Sequence, residues 1–376
     1  MQEKLFFELL QVALDVRPQL DAAPSAQEWE KMMRMAREQA LVGVCFAGVK
    51  KLERSGQLVN LPSSLKMQWL ATAMQIQRQN EIVDRCCPEL SDRLRESGYD
   101  SCLLKGQGLA RLYEHVSGLG SLRQSGDIDM WILAEPEVAL DWARKTGRLE
   151  SFDYHHADVQ LFSDVEVELH YRPSISRNLM RNSRLQHWFR KCGKEHIIYN
   201  ESLGCHVPDW TLNVVLSLNH IFWHLMFEGV GLRQLMDFYF VLKTCPEELH
   251  AKKNVLELLR RFHLLRFAGA VMWVEREVFG LCEENLLCEP DERLGRFLLD
   301  EIMMAGNFGH HDDRLNGARS GGRLHLMWRW MKHSMRLLRH YPEDVLWTPV
   351  GIVYISMWRR VRTCIWKVKS DGGRIS

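Results

Sequence analysis

No stretch of this chain is apolar for long enough to cross a bilayer. The longest such run, about Val345 to Trp358, falls short of the roughly 20 residues that a spanning helix needs. The first residues, Met1 to Phe7, soon meet Asp15 and Arg17, which makes a poor secretory leader. No C-x-x-C pair occurs among the ten cysteines, and Cys282 with Cys288 lacks a second metal-type pair. The thiols are therefore expected to be reduced and mostly buried, in a cytoplasmic protein. Excess charge is missing too. Lys and Arg number 49 against 48 Asp and Glu, a net charge of +1, which gives no global argument for nucleic acid or membrane. No internal repeat and no low-complexity segment is present. At 376 residues the chain is long for a single core, so two or three subdomains are expected. Thirteen Trp and 17 Met suggest cores packed between helices.

The most informative stretch is Gly126-Asp127-Ile128-Asp129-Met130-Trp131-Ile132. A strand alternates its side chains between faces. Asp127 and Asp129 therefore point one way, and Ile128 and Met130 point into the opposite layer. Two like charges side by side repel. A divalent cation removes the problem, because Mg²⁺ takes carboxylate oxygens together with substrate phosphates. Upstream, Ser101 to Leu104 is a short apolar run ending in Lys105-Gly106-Gln107-Gly108. Backbone N–H groups of such a turn, with a helix N-terminus, can cradle phosphate. Downstream, Glu168 lies on a later strand with Glu166 and His170 at period two. Either acid could complete the set.

The flanks read as helical. Residues 1–95 carry apolar positions at helical spacing, with Ser25 as an N-cap and Glu28 three residues later. Ser63 to Glu96 gives one or two helices, and Pro136 to Thr146 one more. Val159–Phe162 and Val165–His170 pair as a hairpin around Ser163-Asp164. From about Ser174 strands are no longer expected. The reading is an α+β chain: an N-terminal helical segment (1–95), a small mixed sheet with helices (96–175), and a helical C-terminal region (176–376). The tail from Gly321 holds eleven Lys/Arg against three Asp/Glu, interleaved with Trp328, Trp330, Trp358 and Trp366. It could meet an acidic partner such as RNA or an anionic membrane surface, although a helical face packed on the domain is the commoner origin of such a pattern.

This ordered set resembles the nucleotidyltransferase superfamily that includes DNA polymerase β: a glycine turn, then D-x-D, then a third carboxylate on a later strand. The closer resemblance is to the uncharacterised nucleotidyltransferase family of bacteria. It is carried by Leu103-Leu104-Lys105-Gly106, Tyr113, Arg123, Gly126-Asp127-Ile128-Asp129 and Glu168-Leu169-His170. Pro208-Asp209, His220, His224, Leu232-Arg233 and Asp237 match its helical half, so the likeness spans roughly residues 30 to 310. Two departures stand out. Gly106-Gln107 replaces the usual glycine-serine, and Glu168 stands where aspartate is commoner.

The resemblance implies Mg²⁺, or Mn²⁺, held by Asp127, Asp129 and Glu168. An NTP would lie against Lys105, Gly106, Gln107, Arg123, His170 and Arg233, and an NMP group would pass to a hydroxyl of a small molecule, RNA or protein. Arg233 and Asp237 also fit an intrahelical ion pair. His220 and His224 read as histidines facing the nucleotide cleft, and His310-His311-Asp312-Asp313 as a polar loop. Two other functions stay open: a non-catalytic nucleotide-binding scaffold that regulates or assembles a partner, and a toxin-like enzyme modifying RNA or protein.

Overall fold

The computed structural model describes residues 2–58, 60–307 and 323–372. Four helices come first: α1 (Gln2–Ala13), α2 (Ala26–Glu38), α3 (Val42–Arg54) and α4 (Ser63–Glu96). Ser25 caps α2 with the reciprocal Glu28 contact that the sequence predicts. Ser63 to Glu96 is one helix, with Pro88 inside it. It reaches both cores. Trp69, Ala73 and Ile76 enter a large helical core, and Val83, Cys87, Leu90 and Leu94 enter a second core beneath the sheet.

The sheet follows: β1 (Ser101–Leu103), α5 (Gln107–Ser117), β2 (Ile128–Ile132), α6 (Pro136–Thr146), β3 (Arg148–Phe152), β4 (His156–Gln160) and β5 (Val167–His170). Its order is β1-β2-β5-β4-β3. The β2–β5 pair is parallel and the other pairs are antiparallel. Ile128, Met130 and Ile132 pack with Ala139, Trp142 and Ala143 of α6 in the second core. The intervening positions of β2 face the helical half, where Trp131 joins the large core. The alternation expected of the D-x-D strand is therefore the one observed.

The expected hairpin pairs as β4 with β5, but β4 begins at His156 and ends at Gln160. Leu161 and Phe162 leave the strand and pack against the second core from the loop. Strands also continue past Ser174, contrary to the expectation. After α7 (Leu179–Cys192), β6 (Ile197–Asn200) and β7 (Cys205–Pro208) form a separate two-stranded ribbon. The pattern hides it, since β6 faces outward at Ile198 and Tyr199, 52% and 55% exposed.

The helical region comprises α8 (Trp210–Phe227), α9 (Leu232–Lys243), α10 (Leu249–Arg261), α11 (Leu265–Phe279), α12 (Glu292–Ala305), α13 (Arg323–Leu338) and α14 (Pro342–Gly372). Asp209 caps α8 through Leu212 N–H at 2.8 Å and takes His196 Nδ1 at 2.7 Å on its other oxygen. The C-terminal helix α14 lies against α7. Asp344 meets the buried Arg181 at 2.6 Å. Trp358 packs edge-on to Tyr154 and under the Arg172 guanidinium. That tryptophan is thus a packing residue, while Arg359 and Arg360 are exposed. The side chains of Trp328, Trp330 and Trp366, and residues His310 to Asp313, lie outside the described residues. All ten cysteines are free thiols. No helix among the described residues is long and apolar enough to cross a membrane.

Candidate functional site

Sheet register builds one face of the site. Asp129 on β2 sits opposite Glu168 on β5, and Glu168 sits opposite Asp158 on β4. One step along, His170 on β5 sits opposite His156 on β4. Side chains two apart on a strand share a face, so carboxylates and imidazoles form two adjoining rows. Asp127 lies just before β2 and lines the same cleft as Asp129 and Glu168. Glu166, the competing acid, is exposed and outside the cleft lining.

The charges are crowded. Asp129 Oδ1 accepts from Lys105 Nζ at 2.9 Å and lies 3.0 Å from His170 Nε2. The same His170 nitrogen lies 3.1 Å from Glu168 Oε2. Burial opposes ionisation of Asp129, but the Lys105 charge and the His170 contact hold its carboxyl well below the usual range. Burial would also lower His170; its bonds to Asp129 and Glu168 prevail and raise it to about 9. Asp127 has no such partner among the described residues. The Asp129 charge, then burial, pushes it up to about 7. This is the like-charge conflict expected of paired carboxylates, relieved on one side by Lys105 and His170. Asp129, Glu168 and His170 bring ligand atoms within 4.8 Å of one another, and two of the three are carboxylates, the donors a hard divalent cation takes. The residues present therefore fit a metal ion.

The opposite wall comes from α8 and α9. Arg123, in the loop before β2, forms a bidentate pair with Asp237 of α9, at 2.7 and 2.8 Å. Tyr113 of α5 donates its hydroxyl to the same carboxylate at 2.7 Å. Arg123 is 3% exposed, and its Nη1 is buried without a hydrogen-bond partner. Asp237 thus bonds across the cleft wall to Arg123, and the Arg233 charge on the same helix also holds its carboxyl down. Arg233 lines the cleft and donates to the Gln124 carbonyl at 3.3 Å. His220 and His224 also line it, 3.0 Å apart. Neither belongs to a potential metal-holding group among the described residues. Arg177 completes the rim, its guanidinium over Phe227 and Trp223 at 3.8 and 5.1 Å. The open cleft has a volume of about 420 Å³, within the roughly 300–1,000 Å³ of ligand sites.

Gly106 opens α5 with φ +58 and ψ −117, a conformation that only glycine adopts readily. Lys105 and Gly106 both line the cleft. Gln107 does not: its amide turns to α4, donating to Asp84 Oδ1 at 2.7 Å and Asn80 O at 3.4 Å. With its side chain so engaged, the Gln107 main-chain N–H is the group the turn presents. The sequence reading missed the head of β4. His155, His156 and Asp158 stand beside Glu168 and His170, and the available signal was the His-His-x-Asp run at the head of an apolar segment.

Beyond these distances, comparison adds a family match. A family model described as "uncharacterised nucleotidyltransferase" matches residues 25–280. No curated protein and no solved structure matches the chain. The matched span runs from the cap of α2 through all of the sheet to the end of α11, so it takes in both walls of the cleft. With the turn, the acid row and the helical wall all inside that match, the chain belongs to the uncharacterised nucleotidyltransferase family.

Proposed function

We propose that the cleft binds a nucleoside triphosphate and transfers its nucleotidyl group to a hydroxyl acceptor. The observation that carries this reading is the convergence of Asp127, Asp129 and Glu168 on one cleft beside Lys105 and the Gly106 turn. In this reading the three acids hold Mg²⁺, with Mn²⁺ as the alternative ion. Such an ion supplies charge to phosphate oxygens and acidifies an attacking hydroxyl. The acceptor oxygen bonds to the α-phosphorus, the bond to the bridging oxygen breaks, and pyrophosphate leaves. Glu168 receives the acceptor proton. Lys105 and the turn amides orient the phosphates, and Arg233 and the Arg123 Nη1 face the remaining charge. The α8–α9 wall selects base and acceptor, whether small molecule, RNA or protein. The basic residues of α14 give an acidic acceptor a surface to meet.

A second reading is a non-catalytic nucleotide-binding scaffold. Gln107 favours it, because its amide is engaged by Asp84 and puts no hydroxyl or amide where the family turn carries serine. The discriminating experiment is a thermal-shift screen of four NTPs with and without Mg²⁺, followed by pyrophosphate release. A ligand that binds only the folded state raises its melting temperature. The transferase reading expects a Mg²⁺-dependent shift with one NTP, lost in Asp127→Ala/Asp129→Ala, and pyrophosphate release with the acceptor. A shift without release, across an acceptor panel, supports the scaffold. No shift with any NTP in folded protein overturns both.

A further inference from the structure

We infer that His155, His156, His170 and Glu168 form a second cation position, specific for a nitrogen-binding divalent metal of the Zn²⁺ or Co²⁺ class. This goes beyond the nucleotide reading and does not depend on it. The three rings form a triangle, with centroids 4.2, 5.5 and 5.2 Å apart. Their ligand atoms lie within 4.8 Å of one another.

Adjacent residues of a strand face opposite ways, so His155 and His156 should diverge. They converge because His155 sits in the bend before β4, where its carbonyl accepts from Tyr171 and Arg172 N–H at 3.0 and 3.1 Å. The interatomic distances match a shared ion. His155 Nε2 lies 2.9 Å from His156 Nδ1. Glu168 Oε2 lies 3.1 Å from His170 Nε2 and 3.7 Å from His156 Nδ1. Metal–nitrogen bonds of about 2.0–2.1 Å put neighbouring ligands roughly 3.0 Å apart at right angles and roughly 3.4 Å apart in a tetrahedron.

Two of the three outward nitrogens support the same conclusion. His156 Nε2 faces Asp158 Oδ1 at 3.3 Å, and His170 Nδ1 faces the Arg172 carbonyl at 3.4 Å. Metal-bound histidines are oriented in this way by carboxylates and carbonyls. The third, His155 Nδ1, is buried and has no hydrogen-bond partner among the described residues. Imidazole donors suit Zn²⁺, Co²⁺ and Ni²⁺, whereas Mg²⁺ demands oxygen. Glu168 has two oxygens and can serve this position and the Asp127–Asp129 pair together.

The test uses full-length protein stripped of metal and titrated with Co²⁺, without nucleotide, reading visible absorption. One equivalent of Co²⁺ is expected to bind and to resist a large excess of Mg²⁺. His155→Ala/His156→Ala should abolish the band. Asp158→Asn should weaken binding about 10–100-fold. Asp127→Asn should leave the band intact while removing any nucleotide-dependent melting shift, which separates this inference from the nucleotide reading. X-ray absorption of Zn²⁺-loaded wild type needs no variant and should show three imidazoles. An oxygen-only shell, displacement by Mg²⁺, or equal Co²⁺ uptake in the folded histidine variant overturns the proposal.

Discussion

Replacing Asp237 with Asn tests the cross-wall bond most directly. Three donors converge on its two carboxylate oxygens: Arg123 Nε, Arg123 Nη2 and the Tyr113 hydroxyl. Asparagine keeps one acceptor oxygen and turns an NH₂ toward a guanidinium that only donates. The Arg123 charge, 3% exposed, is then buried without its counterion. Removing one partner of a buried pair costs about 3–5 kcal/mol. That is a large share of the roughly 5–15 kcal/mol by which domains are stable. The assay is urea unfolding followed by circular dichroism. Asp237→Asn should lower the midpoint sharply at pH 7. Burial would raise the Asp237 carboxyl, but the Arg123 charge holds it below its ordinary value. The pair's contribution is therefore complete above the unfolded carboxyl value of about 3.9 and is lost as pH falls through the lower folded value. The gap between variant and wild type should close only in acid. The decisive comparison is Arg123→Met/Asp237→Leu combined with Tyr113→Phe, which removes the carboxylate together with the three donors that bond it. If the orphaned charge causes the loss, this triple variant is more stable than Asp237→Asn. A triple variant equally or more unstable refutes the reasoning.

Other outcomes follow from the same geometry. Gly106→Ala forces a side chain into a conformation at φ +58 and should cost about 1–3 kcal/mol, read as a lowered melting temperature. Gly351→Ala places a Cβ against the Arg177 carbonyl oxygen. It should cost about 1–3 kcal/mol and speed hydrogen exchange in α14 before the rest of the chain. The His196–Asp209 bond raises the histidine above its ordinary value against a smaller opposing effect of burial. Its contribution is full below the unfolded value of about 6.5 and fades as pH rises through the higher folded value. His196→Asn should therefore differ from wild type in melting temperature at pH 5.5 and converge with it in alkali.

Local signals made part of this architecture legible. Pro136 to Thr146, the Ser25–Glu28 cap and the alternating D-x-D strand are set by nearby residues, and each is found where the sequence puts it. Elements fixed by distant partners were hidden. β3 is an edge strand with an exposed, charged sequence, Arg148-Leu149-Glu150-Ser151-Phe152, so no apolar alternation marks it. Helical spacing pairs Asp237 with Arg233, yet a loop arginine 114 residues upstream takes its carboxylate. His156 and Asp158 join the acid row through register with β5, and register between strands is not written in either strand alone. Gln107 shows the converse: its place in the turn was legible, and its orientation toward Asp84 was not.

The bond from Asp237 to Tyr113 and Arg123 also sets an order of assembly. A chain emerging from its N-terminus delivers α5, the Arg123 loop and then the acid-bearing strands early. The carboxylate that fastens them to the far wall arrives 124 residues after Tyr113. Until α9 has been made, the Arg123 guanidinium lacks the Asp237 carboxylate and the far wall has only α8. Nascent chains stalled before Leu232 should leave the Asp127–Asp129 pair open to solvent, and those stalled beyond Lys243 should close it. A cleft lined from both sides thus waits for most of the chain.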